Sequence, residues 1–124
     1  MKLLVVKAYT ELIRFEGCLA RGEFGKLHGK VLGKPLRGAT AGTDGIQEVC
    51  AAVDLACIWY WKQVRCLQRS AATTCLLRDC GIPARMVIGV QQIPFKAHAW
   101  VEVNGRVVND KAYMREVYTA LETC

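Results

Sequence analysis

Three residues of this chain have the types that nucleophilic acyl chemistry needs: Cys66, His98 and Asp110. A thiol attacks a carbonyl as its thiolate, so it needs an imidazole to take the proton and a third group to fix the imidazole's tautomer. The pattern of apolar and small residues predicts a helix from about Cys66 to Cys80, stopped by Gly81 and Pro83. Cys66 is then in the first turn, where the positive end of the helix dipole favours an anion. Gln63, Val64 and Arg65 ahead of it include no good N-cap side chain. His98 is one of only two histidines. Its segment, 97–103, alternates as a half-buried strand should, with His98, Trp100 and Glu102 on one face and Ala99, Val101 and Val103 on the other. The second histidine, His28, lies on a helical stripe and reads as a packed residue.

Whether Asp110 reaches His98 depends on the turn at Asn104-Gly105. A two-residue turn pairs Val103 with Arg106 and puts Asp110 opposite Ala99, on the wrong face. A three-residue loop with Gly105 as a left-handed bulge residue pairs Glu102 with Arg106, Trp100 with Val108 and His98 with Asp110. The bulged register is the one expected. It supplies an opposite-charge pair, an aromatic–β-branched pair and the histidine–carboxylate pair together, with Val101 facing Val107 behind them.

The elements that must carry these residues follow from periodicity. Val5, Tyr9, Leu12, Ile13 and Leu19 have the spacing of an amphipathic helix, and Phe24, Leu27, Val31 and Leu32 repeat it in a shorter stretch weakened by Gly25 and Gly29. Residues 33–42 are rich in Gly and lack periodicity, as a linker does. Asp44, with Gln47 in capping-box register, is the expected N-cap of a helix ending near Trp59-Tyr60-Trp61. Strands are predicted over 84–90, 97–103 and 106–109, with 112–121 readable as either helix or strand. At 124 residues and 52% hydrophobic content the chain makes one compact domain. The expected division is an N-terminal helical segment and linker over 1–44 and a catalytic unit over 45–124. The fold class is α+β, with helices on one face of a small antiparallel sheet. That order suits the papain and transglutaminase arrangement.

Charge and cysteine content narrow the setting. The formal charge is +6, but the basic residues are scattered, without the dense run or aromatic-rich basic strand that tracks nucleic acid. No stretch approaches the roughly 18 apolar residues of a membrane span, and the apolar start is interrupted by Lys7, Glu11 and Arg14. Seven cysteines, an odd number, without a secretory signal point to free thiols in a reducing cytoplasm. No Cys-x-x-Cys pair exists, so no metal and no cofactor is expected.

As a set, Cys66-Leu67-Gln68-Arg69-Ser70, Gly81-Ile82-Pro83-Ala84-Arg85 with Val87-Ile88-Gly89-Val90, His98-Ala99-Trp100-Val101-Glu102-Val103 and Val108-Asn109-Asp110 resemble the transglutaminase-like domain of lasso-peptide maturation proteins. The resemblance covers about residues 45–111. It implies a cysteine peptidase, with Cys66, His98 and Asp110 as catalytic triad, that removes the leader from a ribosomally made precursor. It also implies a small leader-recognition protein as partner, expected to dock through the N-terminal helices, and a separate ATP-dependent cyclase that closes the ring. The Cys66 backbone N–H is the expected oxyanion donor, with Gln63 or Trp61 as the second. Arg69 is expected either to bind substrate or to hold the domain together, and Trp100 is a further candidate for substrate contact. The same three residues would serve an acyltransferase, in which an amine resolves the acyl-enzyme, and the same fold without activity would be a peptide-binding module.

Overall fold

The computed structural model describes residues 2–36, 44–92, 94–111 and 114–124. In chain order the elements are α1 (Lys2–Ala20), α2 (Phe24–Leu32), α3 (Asp44–Trp59), α4 (Cys66–Asp79), β1 (Ala84–Gln92), β2 (Phe95–Val103), β3 (Arg106–Val107), α5 (Met114–Val117) and β4 (Thr119–Thr123). The strands form one antiparallel sheet in the order β3-β2-β1-β4. This is the α+β arrangement expected, with 112–121 resolving as neither alternative alone: its described part is a short helix followed by an edge strand.

Helix α4 is the centre of the molecule. Everything from Ser70 to Leu77 is buried, because small residues on all sides let α1, α3 and the sheet approach it together. Gly81 at φ 81° ends it. The Ile82 N–H reaches back to the Leu77 carbonyl at 2.9 Å and the Gly81 N–H to Arg78 at 3.0 Å, the two bonds of a Schellman cap. The next residues then enter β1 with Ala84 and Met86 facing the helices.

The two faces of β2 follow the alternation read from the sequence. Val101 and Val103 pack with Leu12, Val49, Val53, Leu76 and Leu77 under the helices. Trp100 goes to the opposite face, with Val87 and Met114, against Tyr118 from the turn between α5 and β4. Glu102 on that face accepts the Trp100 Nε1–H at 2.8 Å and both donors of the Arg115 fork at 2.6 and 2.9 Å. Burial pushes the Glu102 carboxyl up, but the Arg115 and Trp100 hydrogen bonds outweigh it and hold the group below the usual carboxylate range.

The first two helices are built into this core. Ala8 and Leu12 of α1 belong to the cluster under the sheet, and Phe15, Cys18, Leu27 and Val31 form a second with Ala71, Cys75 and Met86. Helices α1 and α2 thus contribute to the domain's interior. Arg78 explains why α2 forms despite its glycines. Its guanidinium donates to the Ala84 carbonyl at 3.0 Å and to the carbonyls of Val31 and Lys34 at the end of α2. The linker read over 33–42 lies largely in residues 37–43, outside the described residues. Asp44 opens α3 as the first residue of its described segment, and the residues ahead of it, on which the expected cap bears, lie outside the described residues. No helix among the described residues is long and apolar enough to cross a membrane.

Gly89 pairs with His98 across β1 and β2, and the space where its side chain would stand is already filled. A Cβ there would lie 2.6 Å from the Trp100 ring and 2.9 Å from the Tyr118 Cβ. Gly89→Ala should therefore cost about 1–3 kcal/mol by overpacking, read as a lower midpoint in denaturant unfolding with an unchanged slope.

Candidate active site

Cys66 is the first residue of α4 and is half-buried. Arg65 before it is extended (φ −84°, ψ 158°) and makes no side-chain cap, so the first-turn N–H groups point outward without a side-chain acceptor. Ser70, one turn on and on the same face, donates to the Ala99 carbonyl at 3.0 Å. That face of α4 thus meets β2 at Ala99, next in sequence to His98, whose ring lies on the other face of the strand with Trp100 and Tyr118; among the described residues no contact joins Cys66 and His98. Among the described residues the Cys66 thiol has no hydrogen-bond partner.

His98 Nε2 and Asp110 Oδ2 are 2.6 Å apart. When the neutral ring donates its Nε2–H to the carboxylate, Nδ1 is left as the base. The ring is held by stacking: Tyr118 lies 5.6 Å from it at 25°, Trp100 6.4 Å at 22°. The other Asp110 oxygen accepts the Lys111 N–H at 2.8 Å. Partial burial raises the Asp110 carboxyl, but the His98 bond, the Lys111 N–H and the charges of His98 and Arg69 together hold it below the ordinary range.

This pair forms by a route other than the expected register. Val103 faces Arg106 and Glu102 faces Val107, with Asn104 (φ 52°) and Gly105 (φ 79°) both left-handed, as a two-residue turn requires. The bulge at Gly105 does not occur: asparagine tolerates the left-handed region well enough to take the first turn position. Regular pairing continues only to Val108, whose N–H reaches the Val101 carbonyl at 2.9 Å. There the ladder breaks. The Val101 N–H, which would pair with the Val108 carbonyl, goes to the Asn109 side-chain carbonyl at 2.7 Å. The Val108 carbonyl is left to a contact with the Cys50 thiol at 3.5 Å. Asn109 Nδ2 in turn donates to Ser70 Oγ at 3.2 Å. A side chain has replaced a main-chain acceptor, β3 stops after two residues in place of the four predicted, and the backbone is free to bring Asp110 to His98.

Residues 8–123 match the transglutaminase-like superfamily. This chain belongs to that superfamily. The match takes in α1 and α2, consistent with their place in the core. A stretch of 51 residues is 47% identical to the microcin J25-processing protein McjB of Escherichia coli, covering 41% of this chain and 24% of that protein. No solved structure matches.

Within the transglutaminase-like frame the remaining candidates separate. Arg69 pairs with Asp54 of α3 at 2.5 Å, bracing the first turns of α4. Gln63 is exposed and lines a cleft of about 320 Å³ with Glu16, Lys62 and Gln68, whose walls do not include Cys66. Trp61 is 69% exposed, its ring tilted against Tyr60 at 5.8 Å with the Lys62 ammonium 5.2 Å over it. Trp100 is fully buried, which corrects its reading as a substrate contact: the indole fills the space over Gly89 and backs the His98 ring. Burial pushes the Cys50 and Cys75 thiols up to about 11 and raises Cys57 in the same direction, so these three are poorly ionised at neutral pH.

Ser70, Asn109 and Tyr118 were not singled out in the sequence. Ser70 is four residues from Cys66, the spacing of one helix face, and Asn109 is of the type whose side chain mimics a backbone group; both signals are too common to select a residue. Asn109→Ala leaves the buried Val101 N–H unpaired. It should cost about 1–3 kcal/mol, and His98–Asp110 coupling should loosen, seen as a shift of the His98 ring resonances in NMR spectra while the Gly89 and Val87 amides stay put.

Proposed function

We propose that this protein is a cysteine peptidase that removes the leader from a lasso-peptide precursor. The observation that carries the reading is the 2.6 Å His98–Asp110 contact on a strand that meets the Cys66 face of α4 through Ser70 and Ala99. Membership of the transglutaminase-like superfamily and the 47% identity to the microcin J25-processing protein over 51 residues support the substrate class.

In this reading the Cys66 thiolate attacks the carbonyl carbon of the scissile peptide bond, and the oxyanion is met by first-turn N–H groups of α4, that of Cys66 among them. His98, which has taken the thiol proton, delivers it to the leaving amine as the C–N bond breaks. Water then adds to the thioester with His98 as base, releasing the leader's carboxylate and restoring the thiol. Asp110 stays ionised and holds the ring. A small leader-recognition protein delivers the precursor, the cyclase follows, and the setting is the cytoplasm. The superfamily match also favours a second reading, in which an amine in place of water resolves the same acyl-enzyme.

Incubation with the precursor and the recognition protein, followed by mass spectrometry, separates the two. Free leader and core termini are expected from the wild type; a crosslinked product with loss of ammonia would mean transfer to an amine. Cys66→Ala should abolish product, and cleavage by that variant would overturn the mechanism. A binding module without chemistry is tested by alkylation: iodoacetamide at about pH 6 should label Cys66 well ahead of the other thiols, with Cys50, Cys57 and Cys75, whose ionisation is opposed by partial or full burial, lagging most. Uniform labelling would count against an activated thiol.

A further inference from the structure

The outer face of α1 has a composition that its place in the fold does not require. The inner face, through Ala8, Leu12 and Phe15, is fully buried. A helix of this kind ordinarily turns charged residues to water. Along the opposite side, Leu3, Val6, Thr10, Ile13, Gly17 and Ala20 recur with alternating spacings of three and four, the a and d positions of a heptad. None is charged, and Leu3, Val6 and Ile13 are 66%, 61% and 52% exposed. The Thr10 hydroxyl is bonded to its own helix, at the Val6 carbonyl, which leaves its methyl group outward. At Gly17 a Cβ would meet nothing within 4 Å, so no neighbour within the fold demands glycine there. A cleft of about 280 Å³, lined by Val6, Lys7, Thr10 and Leu76 and also by the acidic Glu11 and Asp79 on the side toward α4, opens beside the seam.

The flank of this seam is basic. Lys7, Arg14 and Arg21 follow one another at seven-residue spacing, the last just beyond the helix end, and Lys2 stands on the other side. Among the described residues the ion pairs of Arg14 and Arg21 are long, to Glu11 and Glu23 at 3.6 and 3.8 Å, and the Arg14 guanidinium also lies 4.9 Å over the Phe15 ring.

We propose that the outer face of α1 is a docking seam for an amphipathic helix of another protein, one with acidic residues beside its own apolar stripe. Two other occupants fit less well. A second copy would set Lys7 and Arg14 against the same charges, which repel. Residues 37–43 of this chain, Arg-Gly-Ala-Thr-Ala-Gly-Thr, contain no large apolar side chain and no acid to place there. A lipid surface wants a broad apolar face with bulky side chains, whereas this stripe is one row wide and tapers to Gly17 and Ala20, which suit close approach of a helix backbone. The seam lies on the N-terminal helices where the recognition protein of the peptidase reading is expected to dock, but the observations that carry it are those of α1 alone, so it stands or falls apart from the chemistry at Cys66.

The probe is a fluorescent synthetic three-heptad helix with Leu at a and d and Glu at e and g, compared with the same peptide carrying Lys at e and g. By anisotropy the Glu peptide should bind the full chain saturably and at least about tenfold more tightly than the Lys peptide, and should weaken as salt is raised. Val6→Asp and Gly17→Leu should each reduce binding by about tenfold or more without lowering the thermal unfolding midpoint, because both positions face away from the core; Gly17→Leu should raise it, glycine being a poor helix former. Should Val6→Asp disturb the fold, Gly17→Leu still decides. The proposal is overturned if neither peptide binds, if the two bind equally, or if binding survives both substitutions. It is equally overturned if the chain alone dimerises through this face in sedimentation, or if vesicles of phosphatidylglycerol and phosphatidylcholine take it up through this face while the Glu peptide does not bind.

Discussion

The Val101 N–H lies in the middle of β2, between the helices on one side and Trp100's layer on the other, where it must have an acceptor. The acceptor it finds is the side chain of Asn109. Most of the candidate site depends on that substitution of side chain for backbone. It ends the β2–β3 ladder, releases the chain to carry Asp110 to His98, and through Asn109 Nδ2 and Ser70 fastens the same point to the helix that begins at Cys66. Thiol-bearing helix and carboxylate-bearing turn are thereby referred to one buried strand position, and their separation is fixed by short polar contacts in place of a long path through the sheet.

The fold was legible in the sequence where a single periodicity or a single stop signal governed it. The Gly81 cap placed the end of α4, and the strict alternation of 97–103 assigned both faces of β2 correctly. The register was not legible. Two turns of nearly equal standing differ by one residue, and the choice between them was made to satisfy a pairing that the molecule obtains two residues later with an asparagine side chain. Pairwise reasoning along a ladder has no place for a side chain that acts as backbone. Likewise α2 looked marginal because its support, the Arg78 guanidinium, comes from a residue more than forty positions away. Trp100, a candidate for substrate contact by sequence, is buried because Gly89 on β1 leaves room for its ring and Tyr118 closes over it.

The sheet face behind His98 shows how packing can do what a hydrogen bond usually does. The imidazole has one strong polar partner, and its plane is otherwise set by two aromatic rings. Those rings are placed in turn by a glycine that leaves room and by the Glu102–Arg115 fork that ties α5 to β2. Orientation of the histidine therefore draws on α5 and β4, the C-terminal elements, as well as on the strand that bears it.

The Arg78 contacts bear on the order in which the molecule assembles. A nine-residue helix with two interior glycines has little tendency to form alone. The Val31 carbonyl has a local donor in the Lys34 N–H at 3.2 Å, but the Arg78 guanidinium joins it only when α4 has formed and β1 has turned back beneath it, since the same group also reaches Ala84. Helix α2 is thus suited to order late and to open first, as a local unit separable from the sheet. Phe15 and Cys18 of α1 would be uncovered in such an opening, while the strand that holds His98 would keep its pairing.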